Sequence, residues 1–200
     1  MNRPLLQEFL AEFVSKIARK RGEINAAPGR FPKEQLFRTL NNCKKFFSDK
    51  FNCDVKSRWS VGPKEDRDTQ IIEFLVDYSI SRFSIPQAIK QPKPGYPELV
   101  GQQKYGMLLA VESELGDEEE VARDFLKLLD VKAPVKLLFF RGNMDLVSLY
   151  ARLTWVLSHH HDYDPAESIL LIGLPKAQTT TLAAAEFEVR CVENGAIVAL

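Results

Sequence analysis

The sequence predicts an α/β domain in which a central mixed β-sheet carries helices on both faces. Three observations predict it. The hydrophobic period changes from helical to alternating after Phe51. The run Met107-Leu108-Leu109-Ala110-Val111 is apolar without alternation, as expected of a strand buried on both sides. Between Tyr105 and Phe140 a strand, a helix and a strand follow in turn, which calls for a right-handed parallel crossover.

Each element has its own signal. Leu6, Phe9, Leu10, Phe13, Val14 and Ile17 recur at helical spacing and predict a helix from Pro4 to Lys20. Gly22 to Pro32 reads as a linker. Pro32 is a good helix start, and Leu36, Phe37, Leu40, Cys43, Phe47 and Phe51 predict one helix from Lys33 to Phe51. Val55–Val61 reads as a short strand, and Pro63–Asp68 as a charged turn. Ile71–Ile80 alternates: Ile72, Phe74, Val76, Tyr78 and Ile80 share one face, and Ile71, Glu73, Leu75, Asp77 and Ser79 the other. The four prolines between Pro86 and Gln103 predict a long loop. Tyr105–Leu115 is the next strand, broken by Gly116 and Asp117. A helix over Glu118–Leu129, a strand over Val135–Phe140 and a helix capped by Asn143 and running to His159 follow. Ser168–Leu174 is a further strand. Phe187–Val192 and Ala196–Leu200 read as a hairpin turning at Glu193-Asn194-Gly195.

The length suits a single domain over residues 1–200. It divides into a helical part over 1–52, a core over 53–140 and a C-terminal helix with strands over 141–200. The 27 Lys and Arg balance 27 Asp and Glu, so net charge names no partner. Their distribution is uneven. Up to Asp66 there are fourteen bases against eight acids, and from Glu112 to Asp130 eight acids against two bases. That is a basic third beside an acidic stretch, and solvated helix faces account for it as well as a phosphate-binding face does. Cys43, Cys53 and Cys191 form no CxxC pair and read as reduced thiols, which with the charged, amphipathic N-terminus points to the cytoplasm. No apolar run has membrane-spanning length, so no membrane partner is expected.

The acids are the informative feature. Asp77 closes one apolar strand, and Glu112 and Glu114 close the next. Burying a carboxylate costs several kcal/mol unless it is paired or bound to a metal. Two residues apart in a strand, Glu112 and Glu114 face the same way, about 6.6 Å apart, and on a neighbouring strand Asp77 lies about 5 Å off. Carboxylates that close repel, and a divalent cation relieves the repulsion. Oxygen donors suit Mg²⁺ or Mn²⁺. The Ser113 carbonyl, flanked by the two glutamates, adds a further oxygen. The competing reading is that these are ordinary strand-end acids held by arginines or helix N-termini.

Asp77, then Glu112-Ser113-Glu114 on a strand, then a helix and a parallel strand, resembles the core of the PD-(D/E)XK nucleases over about Val55 to Phe140. The resemblance implies a restriction-endonuclease-like fold and a metal-dependent nuclease that hydrolyses phosphodiester bonds, with DNA the expected substrate. It implies that Asp77 and Glu112 bind Mg²⁺, while Glu114 stands where the family usually has lysine and would orient or deprotonate the attacking water. A double-strand cut would call for a homodimer. The departure at Glu114 keeps open an inactive binding module, or a subunit of a defence or repair assembly. Two other lysines are poor substitutes on sequence geometry. Lys104 lies about 33 Å of strand from Glu114, and Lys127 sits opposite the Val121/Phe125/Leu128 stripe, towards solvent. The stretch Glu112-Ser113-Glu114-Leu115-Gly116 with Asp124-Phe125-Leu126-Lys127-Leu128-Leu129 is also similar to an uncharacterised bacterial protein group, which implies no activity.

Other candidates carry less. Arg19-Lys20-Arg21, Lys44-Lys45 and Lys56/Arg58 are phosphate contacts or, more ordinarily, solvated helix ends. Glu23 or Glu34 is a candidate extra carboxylate, and Glu73 lies about 13 Å from Asp77 along its strand. His159-His160-His161, with Asp162 and Asp164, point in different directions and suit a helix C-terminus better than a metal. Lys90, Lys93 and Tyr96 give the proline-rich loop a nucleic-acid reading or none, and Trp59 reads as core. No glycine-rich phosphate loop follows any strand.

Overall fold

In the computed structural model, which describes residues 3–19, 33–59, 76–82, 106–161, 163–174 and 187–200, seven strands form one sheet in strict sequence order. They are β1 (Lys56–Trp59), β2 (Tyr78–Ser81), β3 (Met107–Ser113), β4 (Val135–Arg141), β5 (Ser168–Leu174), β6 (Glu188–Glu193) and β7 (Ala196–Ala199). The pairs β3–β4 and β4–β5 are parallel, and the other four are antiparallel. The sheet is therefore a parallel centre between two antiparallel wings. Helix α4 (Glu118–Asp130) makes the first parallel connection and α5 (Leu146–His159) the second.

The period-2 alternation of β3, β4 and β5 sorts their side chains into two core layers. Leu109, Val111, Leu137, Phe139, Leu170 and Ile172 face α1 (Arg3–Arg19), α2 (Lys33–Asn42) and α3 (Lys44–Phe51). Ala110, Leu138, Phe140, Ile169 and Leu171 face the inner stripes of α4 and α5, among them Phe125, Leu128, Leu149 and Leu153. Leu6, Phe9, Phe13 and Ile17 bury the predicted stripe of α1, with the Phe13 ring 5.4 Å from that of Phe139. Among the described residues no helix is long and apolar enough to cross a membrane.

Several boundaries differ from the sequence expectation. The single helix expected over Lys33–Phe51 is two, broken at Cys43, whose φ of −85° and ψ of 0° leave the α-region. Its amide donates to Leu40 O at 2.9 Å in a tighter turn, and α3 then ends on Asn52 at a left-handed φ of 46°. The cap of α5 is Asp145 rather than Asn143: its carboxylate accepts from the amides of Val147 and Ser148. Val76 packs in the layer of α4, not with Tyr78 and Ile80, because the chain bends at Val76–Asp77 before β2 begins. The first part of the strand expected over 71–80 lies outside the described residues, as does the 86–103 loop. The terminal hairpin turns where expected, with Asn194 and Gly195 at φ 52° and 77°, the two positive angles of a tight type I′ turn.

Candidate functional site

β2 and β3 run antiparallel with Tyr78 opposite Val111, so the next residues outward, Asp77 and Glu112, come to lie across from each other. The Ser113 amide donates to Asp77 Oδ2 at 3.0 Å. In return the Asp77 backbone hydrogen-bonds the Glu112 carboxylate. This reciprocal clasp fixes both acids at the C-terminal end of β3.

Glu112 is 3% exposed and points towards α4. Burial pushes its carboxyl up to about 8, and the nearby charges of Asp77 and Asp124 push the same way. Lys127 and the Asp77 backbone pull it back. Glu112 thus sits in an apolar wall with too little positive charge around it.

The helix contributes two groups that sequence geometry missed. Asp124, 7% exposed, lies on the flank of the α4 stripe. Lys127 reaches back one turn, so that its Nζ stands 2.6 Å from Asp124 Oδ1 and 4.0 Å from Glu112 Oε1. Lys127 is thus part solvent-facing, as its helical position suggests, with its side chain 43% exposed, but its ammonium joins the acidic cluster, which that position did not suggest. Its Cα does sit away from the buried stripe, but helical side chains lean towards the N-terminus, and a four-carbon stem covers the remaining distance. The Asp124 hydrogen bond raises the pKa of its ammonium, with Asp124, Glu112 and Asp77 adding attraction. The signal was present in the sequence as an acid inside an apolar helix stripe with a lysine three residues on.

Glu114 is placed differently. β3 ends at Ser113, and beyond it the Glu114 carboxylate turns to accept the Gly116 amide at 2.6 Å. It is committed to the turn that leads into α4 rather than to Asp77 and Glu112. A Cβ at Gly116 would stand 1.6 Å from Glu120 Oε2 and 2.9 Å from Glu114 Oε1, so a larger residue there would push these two flexible carboxylates out of their hydrogen bonds. Asp117 then caps α4, accepting from the amides of Glu119 and Glu120, while Glu120 closes the capping box on the Asp117 amide.

Among the described residues no three Asp, Glu, His or Cys side chains gather closely enough to hold a metal by themselves. Asp77 and Glu112 are a pair of hard oxygen donors. Mg²⁺ characteristically takes one or two carboxylates and completes its octahedron with water and phosphate oxygens. Burial is the main cause of the raised Glu112 carboxyl, with the charges of Asp77 and Asp124 adding to it, and a bound cation would stabilise the ionised form against both, so the donor set fits.

The remaining candidates do not join this cluster. His159 stacks on Trp155 with ring centroids 4.3 Å apart, and His160 Nε2 meets Asp130 Oδ1 at 2.9 Å, so the histidines diverge. Lys45 and Lys56 are exposed. Lys20, Arg21, Glu23, Glu73, Lys90, Lys93, Tyr96, Lys104 and Asp162 lie outside the described residues, as do the side chains of Arg19, Glu34, Arg58 and Trp59. No protein-family model, curated protein or solved structure matches the chain, so any role for it rests on the geometry of these side chains.

Proposed function

We propose that this protein is a metal-dependent nuclease of the restriction-endonuclease-like kind, acting on phosphodiester bonds, with DNA the favoured substrate. The observation that carries this reading is the meeting of Asp77, Glu112 and Lys127 from two adjacent strands and the helix that follows them. The order of elements supports it: helices, a three-strand antiparallel meander, a helix and a parallel strand.

Asp77 and Glu112 would hold Mg²⁺ or Mn²⁺, with the Ser113 carbonyl as a neighbouring oxygen. When bound, the cation supplies charge neutralisation at the phosphate and a more acidic water. Lys127 takes the part first given to Glu114. Its ammonium lies beside Glu112, where it can hydrogen-bond the attacking water and counter charge that develops on the phosphate. Glu114 shapes the turn instead.

The test is cleavage of supercoiled, linear duplex and single-stranded DNA, and of RNA, with Mn²⁺ or EDTA. Metal-dependent cleavage that is lost in Glu112→Ala is the expected result. No cleavage of any substrate, with no Mn²⁺ binding by calorimetry at millimolar concentration, would sink the reading and favour a binding module on the same scaffold.

A further inference from the structure

Asp124 is an expensive residue where it stands. Its neighbours on the helix, Val121, Phe125 and Leu128, are fully buried in the core beneath β3 and β4, and its own carboxylate is almost as inaccessible. A buried carboxylate persists only with a partner, and the partner here is the Lys127 ammonium at 2.6 Å. Lys127 itself is far from immobilised by packing, since its side chain is 43% exposed. A lysine stem that open has many rotamers and loses substantial entropy when held in one. What holds it is a single short hydrogen bond to a carboxylate that cannot move, because that carboxylate is set in the core. The held position lies 4.0 Å from Glu112 Oε1.

We propose that Asp124 is a positioning residue: its fixed carboxylate tethers the Lys127 ammonium beside Glu112, so that the cation the strand lacks at Glu114 is delivered from α4. Asp124 does not touch substrate in this arrangement. It acts through Lys127, and an Asp-x-x-Lys step on a helix replaces a lysine two residues along a strand. The kinetic consequence rests on the nuclease reading above, whereas the tether itself does not.

Two measurements decide it. The first needs no catalysis. Full-length protein is treated briefly with acetic anhydride, and modification of Lys127 is read by mass spectrometry against exposed Lys132 in the same chain. A tethered ammonium labels several-fold more slowly than Lys132. Asp124→Asn should bring the two rates together, and Asp124→Glu, which keeps the charge, should restore part of the difference. Equal labelling in the unaltered protein, or a ratio that Asp124→Asn leaves unchanged, overturns the tether. The second is steady-state cleavage with Mn²⁺. Asp124→Asn should lower kcat by about 10²-fold, the size typical of a lost proton-transfer or charge-stabilising group, with KM and Mn²⁺ affinity close to those of the unaltered protein. Lys127→Met should fall as far, and the double variant no further than Lys127→Met. A double variant whose loss is the product of the two single losses would mean that Asp124 acts independently of Lys127, and would overturn the proposal. If the unaltered protein cleaves nothing, the nuclease reading fails, and the labelling ratio by itself decides whether Asp124 places Lys127.

Discussion

Lys136 lies inside β4 with its side chain fully buried, although its strand neighbours are Val, Leu and Phe. Its ammonium donates to Glu167 Oε2 at 2.5 Å and to the Leu129 carbonyl at 3.3 Å. Burial pushes its pKa down, and the Glu167 hydrogen bond opposes this. Removing one member of such a pair strands the other in the core, so Lys136→Met should destabilise by about 3–5 kcal/mol, while Lys136→Met with Glu167→Leu should cost far less. Urea unfolding of the three proteins checks this. Cys43 makes a second prediction at this scale. Burial pushes its thiol up to about 12 from 9.0. A folded pKa above the unfolded one means stability that is intact below pH 9.0 and lost as pH rises through about 12. Cys43→Ala should flatten that loss by up to about 1.4 kcal/mol per pH unit, and at pH 8 iodoacetamide should modify half-buried Cys53 well before Cys43. The contrast between Glu112 and Lys127 shows which residues can be read from a sequence. Glu112 follows from strand parity, which fixes a short side chain's direction. Lys127 does not, because parity and helical angle describe where a Cβ points, and a long stem held by Asp124 ends elsewhere.

At the scale of elements, α4 is the one that decides the site, since it carries both Asp124 and Lys127. Its start depends on the Asp117 cap and the Glu120 return bond. Asp117→Ala should cost about 1 kcal/mol of stability, measured by denaturant unfolding. Strands written in strongly apolar runs were legible: β5 spans Ser168–Leu174 in the sequence reading and in the structure alike. The break at Cys43 was not, because neither Pro nor Gly marks it and the apolar spacing continues across it. Tertiary packing sets that break: Phe37 stacks on Tyr78 with ring centroids 5.7 Å apart, and Phe47 lies against Phe9 at 5.5 Å, so the two halves answer to different partners.

For the whole molecule, the sheet's strict sequence order brings the acids to one end of the parallel centre, where ligands of α/β sheets characteristically bind. A cation held there by the folded chain and not by the unfolded one raises global stability, by about 2.7 kcal/mol at a hundred times its dissociation constant. Millimolar Mn²⁺ should therefore raise the melting temperature of the unaltered protein and leave that of Glu112→Ala where it was, by calorimetry. The mixed α/β class was legible because it depends only on element order and periodicity. Which helix residues complete the site was not, because that depends on how α4 sits across β3 and β4.

Helix α1 also has a consequence in time. Its Phe13 packs on Phe139 and on Phe187, 6.5 Å between ring centroids, and its Arg3 guanidinium donates to the Ala199 carbonyl at 2.9 Å and meets Glu193 at 3.3 Å. During synthesis this helix leaves the ribosome long before those partners exist, at about 5–20 residues per second. Phe9 meets Phe47 of α3 early, but Phe13 and Arg3 find Phe139, Phe187 and Ala199 only after the later strands have been made. The burial of α1 is therefore completed only once the hairpin of β6 and β7 is in place, and contacts of such long sequence separation slow refolding.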